Sequence, residues 1–270
     1  MRRQFQDRIV IVTGASRGLG RRIATRLASR GAKVAVVGRT QSDLDSVAKE
    51  IQKSGGVAES IPADLTDPEA RKHVVRAVQK RFDGIDALVN AAGVAAHGPF
   101  ESGSETVLRM VMEINFFAAA EMIRLCVPFL IESAASHHQP VVMNVASVVG
   151  RFGIPGVSEH SASKHALIGL TESLRCEFVR FGIDVLVAAP SIVKTDDPGA
   201  HLLRNEPLVP IDFSKGMDPD DVAEQFIAAM ERNKTETYIG KEAWWVNLGR
   251  RLGPRVLRKM MWRKYGIQEG

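Results

Sequence analysis

Thr13-Gly14-Ala15-Ser16-Arg17-Gly18-Leu19-Gly20 is the stretch whose reading decides the fold. It follows an apolar run, Ile9-Val10-Ile11-Val12, and opens a helical pattern with Leu19, Ile23 and Leu27 on one face. A strand, a glycine turn and a helix N-terminus are therefore expected in that order. The free N–H groups and positive dipole end of such a helix form a site for a phosphate. Glycine at 14, 18 and 20 lets a pyrophosphate approach the backbone and permits dihedrals that a Cβ would strain. The spacing G-x-x-x-G-x-G differs from the general fingerprint G-x-G-x-x-G, and glycines also end strands for steric reasons alone. The flanking strand and helix, with Thr13 and Ser16 inside the turn, favour dinucleotide binding.

Outward from this turn, strand-like runs at 33–38, 57–62, 85–90, 140–146, 183–189 and 236–240 alternate with helical ones. The helical segments fall near 19–30, 41–54, 67–82, 104–132, 157–181 and 218–232. Several strands are apolar on both faces, as parallel strands covered on both sides should be. The pattern predicts one α/β domain: a Rossmann-like, doubly wound parallel sheet with helices on both faces. Ligands of such a sheet sit beyond the C-terminal ends of its strands.

A chain of 270 residues fits one such domain. Cys126 and Cys176 are too few and too far apart for a disulfide framework or zinc site, so a reducing, cytoplasmic setting is expected. MRRQFQDR at the N-terminus has no apolar segment behind its arginines, so no signal peptide is expected. No run of about twenty uninterrupted apolar residues predicts a spanning helix. The formal charge is +5, yet residues 241–270 carry eight Lys/Arg against two Glu, leaving the first 240 at about −1. The basic character belongs to the tail, and nucleic-acid binding is not expected.

The form TGxxxGxG resembles that of short-chain dehydrogenases/reductases, and the resemblance runs over roughly residues 7–240. The second strand ends Gly38-Arg39-Thr40 without the acid that would grip the ribose hydroxyls of NAD. Arg39 and Arg17 instead suit a 2′-phosphate, which favours NADP(H) over NAD(H); the plain alternative is two solvated arginines. Asp64, followed by Leu65, resembles the family's adenine-contacting Asp, or else belongs to the cap region before Pro68. Asn90-Ala91-Ala92-Gly93 is similar to the family's NNAG with its second Asn replaced, and Asn90 is placed to brace the neighbouring strand. Pro190-Ser191-Ile192-Val193-Lys194-Thr195 resembles PGxVxT, whose Ile192 and Thr195 positions hold the nicotinamide carboxamide. Ser191 replaces the glycine and reduces backbone freedom there.

Asn115 lies in an otherwise apolar helical run and needs a partner. The resemblance makes it the catalytic Asn near the active-site Lys; a satisfied core amide is the alternative. Ser147 follows the fifth strand where the family keeps its catalytic Ser. Next comes Glu159-His160-Ser161-Ala162-Ser163-Lys164, where the family reads Tyr-Ser-Ala-Ser-Lys. His160 and Lys164, four apart, share one helix face. Ala162, Ala166, Leu170, Leu174 and Phe178 form the opposite stripe, expected in the core. In the family the Tyr protonates the nascent alkoxide, with Lys lowering its pKa from about 10 toward neutrality. Lys also bonds the nicotinamide ribose, and Ser holds the substrate oxygen. His160 titrates near ~6.5 unperturbed, but the Lys164 charge pushes it toward the neutral form, a better base for alcohol oxidation than acid for ketone reduction. Three readings stay open: an enzyme with altered chemistry, a cofactor-binding or sensing module without turnover, and a substitution particular to this clone.

Residues 191–217 lack clear periodicity and are expected as a substrate loop, with Leu202, Leu203, Leu208 and Val209 suiting an apolar carbonyl or alcohol; an ordinary surface loop is the alternative. The tail at 241–270 mixes Trp244, Trp245, Leu248, Leu252, Val256, Met260 and Trp262 with basic residues, and Pro254 is placed to start a last helix of about ten residues. It either packs over the pocket or a partner subunit, the favoured reading, or lies on an anionic membrane. Homodimers or homotetramers are what the resemblance implies.

Overall fold

Ile and Val fill the first strand on both faces ahead of Thr13, and helices covering both sides leave no residue of it exposed: β1 (Ile9–Thr13) is buried throughout. The computed structural model describes residues 2–195, 199, 202–208 and 212–264. After β1 come α1 (Gly18–Ala28), β2 (Lys33–Gly38), α2 (Gln41–Lys53), β3 (Val57–Pro62), α3 (Pro68–Phe82), β4 (Ala87–Asn90) and β5 (Ala95–His97). Then follow α4 (Glu105–Met112), a π-helical segment (Glu113–Phe117), α5 (Ala118–Ala135), β6 (Val141–Val145), α6 (Ser158–Phe178) and β7 (Asp184–Pro190). The chain continues with β8 (Leu202–Asn205), α7 (Pro219–Glu231), β9 (Glu236–Ile239), α8 (Lys241–Leu252) and α9 (Pro254–Lys264).

Seven strands form one parallel sheet in the order β3-β2-β1-β4-β6-β7-β9, the doubly wound topology expected from the alternating pattern. One face is covered by α1, α2 and α7, with Ile23, Leu27, Leu44 and Phe226 fully buried. The other is covered mainly by α3 and α5, through Val74, Val78, Met122, Ile123 and Leu130. The strand order reverses between β1 and β4, which opens a crevice above their C-terminal ends. The unbroken helical stretch Glu105–Ala135 is, by length and composition, apolar enough to cross a membrane. Its apolarity has a local cause, since Met122, Ile123, Cys126 and Leu130 pack on the sheet.

Three buried polar side chains tie α6 to the middle of the sheet. Asn90 Nδ2 donates to Asn144 Oδ1 at 2.9 Å, and Asn144 Nδ2 donates to Thr171 Oγ1 at 2.9 Å. Thr171 in turn donates to the Leu167 carbonyl at 2.7 Å. Asn90 and Asn144 stand opposite each other on β4 and β6, so the expected bracing role of Asn90 is seen directly.

Two expectations need correction. The apolar stripe of α6 is not its inner face: Ala162 is exposed, Ala166, Leu170 and Leu174 are half-buried, and only Phe178 is buried. The helix turns Ser163, Lys164, Leu167, Ile168 and Thr171 inward instead, because Lys164 and Thr171 have buried polar partners there. The substrate loop is also not wholly irregular. Leu202–Asn205 pairs in parallel with Ala95–His97 as a separate two-stranded sheet, which was invisible in so short a run. Val209 and Tyr265 lie outside the described residues. Elsewhere the predicted elements hold to within a few residues, and α9 starts at Pro254 as expected.

Replacing Asn144 by Val keeps a strand-forming shape but strands the Asn90 and Thr171 partners in an apolar core. The expected loss is about 2–4 kcal/mol of unfolding free energy, read by urea denaturation. An unchanged midpoint would show that the chain of side-chain bonds contributes nothing net.

Candidate active site

The turn after β1 is shaped by contact with the loop after β4. Gly14 has φ 66°, and a Cβ there would stand 2.7 Å from the Ala92 Cα, so only glycine lets the two backbones meet. Thr13 Oγ1 accepts from the Ala91 and Ala92 N–H groups at 3.1 and 3.2 Å, holding the same junction from below. No side chain caps the N-terminus of α1, and its first turn holds no acid. Gly18, Leu19 and Gly20 form that first turn, which suits an anion.

A cleft of about 330 Å³ opens above this junction. Of the residues singled out from sequence, Gly14, Ser16, Arg17, Arg39, Asp64, Leu65, Ala91 and Gly93 line it. Arg39 is exposed at the end of β2. Asp64 accepts from the Thr66 N–H and Oγ1 at 3.0 and 2.8 Å, so it lines the cleft from the turn that precedes the α3 cap, Asp67. Asn90 is buried beneath the cleft and acts through Asn144. Sequence reasoning missed Asp43, Met110 and Ile114 on the lining; Met110 and Ile114 were findable from their one-turn spacing. Leu202 and Leu203 also line it, whereas Leu208 sits beside Gly156. Pro190 closes β7, but the Ile192 carbonyl is taken by the Met217 N–H at 2.9 Å. Ser191 keeps an ordinary backbone, with no positive φ, and donates to Glu242 at 3.1 Å. Thr195 follows in the same described stretch.

Beyond Gly93 the four residues expected at the catalytic positions gather. Asn115 lies in the π-helical segment, the kind of bulge often found at functional sites, and is 1% exposed. Its Oδ1 accepts from the Val94 N–H at 2.8 Å, and its Nδ2 donates to the Val94 carbonyl and to Ser163 Oγ, both at 2.9 Å. The amide thus answers both backbone groups of one residue, which supplies the partner its buried position required. A Cβ at Gly93 would lie 3.2 Å from Asn115 Oδ1 and 3.4 Å from Lys164 Nζ. Lys164 Nζ donates to the Val145 carbonyl at 2.9 Å, at the end of β6. Ser147 caps a short 3-10 turn, Val148–Gly150, which packs so closely on α6 that a Cβ at Gly150 would meet Lys164 Cβ at 2.8 Å.

His160 Nδ1 stands 3.0 Å from the Val94 carbonyl and 3.4 Å from Asn115 Nδ2. Both hydrogens of that Nδ2 are already committed to Val94 and Ser163, and a carbonyl can only accept. The Nδ1 proton therefore belongs to histidine, and Nε2 carries the lone pair. Burial pushes the His160 pKa down to about 3, the Lys164 charge adds to the fall, the Val94 bond opposes it, and His97 lowers it further. Burial also lowers Lys164, to about 8. His97, missed from sequence, is buried on β5 with its ring stacked on Phe213 at 6.3 Å. No tyrosine stands in for the family's acid among the described residues: the Tyr238 hydroxyl donates to Glu236 on β9, and its pKa is raised to about 12, by burial first. Val94 escaped sequence reasoning because it acts through its backbone, which no side-chain pattern marks.

The profile of the short chain dehydrogenase family matches residues 8–200. Ketoacyl reductase HetN of Nostoc sp. is 31% identical over 233 residues, covering 86% of this chain and 78% of that protein. A short-chain dehydrogenase structure from Streptomyces avermitilis superposes with a TM-score of 0.80 at 28% identity, covering 97% of both chains. Another from Burkholderia cenocepacia, solved in complex with NADP, gives 0.80 at 25% identity over 96% of this chain and 98% of that one. The matched profile spans the glycine turn, the loop after β4, the Ser147 turn and the helix carrying His160 and Lys164, and the chain belongs to the short-chain dehydrogenase/reductase family of oxidoreductases.

Proposed function

We propose that the protein is an NADP(H)-dependent oxidoreductase acting between an apolar ketone and its secondary alcohol, with its residues better suited to alcohol oxidation. The observation that carries this is the bond from His160 Nδ1–H to the Val94 carbonyl, which commits Nε2 to accepting a proton rather than giving one. The uncapped first turn of α1 at Gly18–Gly20 would hold the pyrophosphate, with Arg17 and Arg39 on a 2′-phosphate and Asp64 and Leu65 at the adenine. An NADP-bound structural relative and the lack of an acid at the end of β2 support that choice, while Asp43 on the same lining opposes it. Ile192 and Thr195 would hold the carboxamide end through groups other than the Ile192 carbonyl. Once bound, the nicotinamide supplies the hydride acceptor or donor. Lys164 would bond the ribose, Ser147 would hold the substrate oxygen, and Asn115 keeps the Val94 carbonyl aimed at His160. Leu202, Leu203, Met110 and Ile114 give the cleft an apolar wall, which supports an apolar substrate.

A second reading is favoured by the depressed His160 pKa: a base near about 3 is weak, and the protein would then bind NADPH as a sensing module without turnover. The two separate in one experiment, NADP reduction over a panel of apolar alcohols beside NADPH binding. Turnover lost on Lys164→Ala supports the enzyme, whereas binding with no turnover of any alcohol or ketone supports the module.

Arg39→Asp is expected to weaken NADPH binding about 10- to 100-fold, as loss of a charge-assisted phosphate contact does, with NADH binding unchanged or tighter. Equal loss for both cofactors would remove Arg39 from the 2′-phosphate site. His160→Tyr restores a phenolic donor and is expected to raise ketone reduction by about 100-fold, measured as NADPH consumption. The unfolded imidazole titrates at 6.5 and the folded one at about 3, so between these values the unfolded chain binds the extra proton. Stability present above pH 6.5 is therefore lost as pH falls toward about 3. His160→Gln is expected to flatten that part of the melting temperature against pH, and an unchanged slope would contradict a half-buried histidine held neutral.

A further inference from the structure

We propose that the face formed by α8 and α9 docks on an anionic membrane surface, an inference independent of which reaction the cleft performs. Ala243 anchors α8 in the domain, fully buried, and Leu257 packs beside Gly249 to hold α9 against α8. Val246, Leu248, Met261 and Trp262 are half-buried, and the other described large apolar side chains face outward. Trp244 and Trp245 are 52% and 63% exposed, in an edge-to-face pair with centroids 4.8 Å apart. Leu252, Val256 and Met260 are 78%, 63% and 61% exposed. On α9, the exposed Val256 and Met260 share a stripe one turn apart, bordered by Lys259 and Arg263.

Charge identifies the occupant. Residues 241–264 hold eight Lys/Arg and a single acid, Glu242, which already accepts from Ser191. Among the described residues no ion pair engages Arg255, Arg258, Lys259 or Arg263. On α1, by contrast, Arg22, Arg26 and Arg30 (at its C-terminal edge) are all matched by acids of α7 or its border. A second copy meeting this face about a two-fold axis would bring the same positive patch against it, which repels. Among the described residues, α8 and α9 contribute nothing to the lining of the cleft above the glycine turn. Exposed indoles with a neighbouring basic arc match the interface of an anionic bilayer, where the rings sit at headgroup depth and Lys/Arg meet the lipid charge. Arg258 lies 5.0 Å over the half-buried Trp262 ring.

The chain supplies its own reporter, because its three tryptophans, Trp244, Trp245 and Trp262, all lie in this segment. The full-length protein is mixed with vesicles of phosphatidylcholine containing phosphatidylserine, and in parallel with phosphatidylcholine alone. Expected are co-sedimentation and a blue-shifted tryptophan emission with the anionic vesicles only, both reversed by high salt. Arg258→Glu with Lys259→Glu is expected to cut the bound fraction at least about 10-fold while NADPH binding, which checks the fold, is unchanged. Equal binding to both vesicles, no binding to either, or insensitivity to the charge reversal would overturn the proposal. So would a lipid-free, concentration-dependent association that itself shifts the emission, which would make a second copy the occupant.

Discussion

One backbone residue, Val94, sets the chemistry of the cleft. Its N–H and carbonyl are both engaged by Asn115, and its carbonyl also takes the His160 Nδ1 proton. A carbonyl has two lone pairs and can satisfy both donors at once. The result is a histidine with a defined tautomer, held by the loop between β4 and β5 that also lines the cleft. The π-helical turn at Glu113–Phe117 carries Asn115 within reach of Val94.

The same economy operates lower in the sheet. Asn90, Asn144 and Thr171 link β4, β6 and α6 through fully enclosed side-chain bonds, and Lys164 adds a bond to the end of β6. Paired buried groups such as Asn144 and Thr171 favour one arrangement among many apolar alternatives, although Asn90 Oδ1 is buried with no hydrogen-bond partner among the described residues. That is why α6 presents its polar motif inward and leaves Ala162 in solvent, although its apolar stripe predicts the opposite. The desolvation that comes with this burial lowers both His160 and Lys164, so the replacement of the family's tyrosine changes the charge state of the site as well as its donor.

Electrostatics divides the chain into two parts. The first 240 residues are close to neutral and pair most of their arginines, whereas among the described residues Arg255, Arg258, Lys259 and Arg263 of the tail make no ion pair, in the segment that carries the exposed Trp244 and Trp245. Ser191 at the start of the substrate loop bonds Glu242 at the start of α8, so the loop and the tail begin side by side.

Alternation of strands and helices and the turn Thr13–Gly20 determined, from sequence alone, the parallel sheet and the place of its crevice, because local periodicity and glycine geometry act over a few residues. The positions Asn115, Ser147, His160 and Lys164 were marked only through the resemblance to the family's motifs, while the need of Asn115 for a partner followed from its apolar surroundings. Tertiary structure decided what their side chains do. Which face of α6 is inner depends on Asn144 and Val145, distant in sequence. The histidine tautomer depends on a backbone carbonyl 66 residues away, and backbone groups leave no trace in residue type. The strand at Leu202–Asn205 exists only because Ala95–His97 lies alongside it, a non-local pairing that four residues cannot announce.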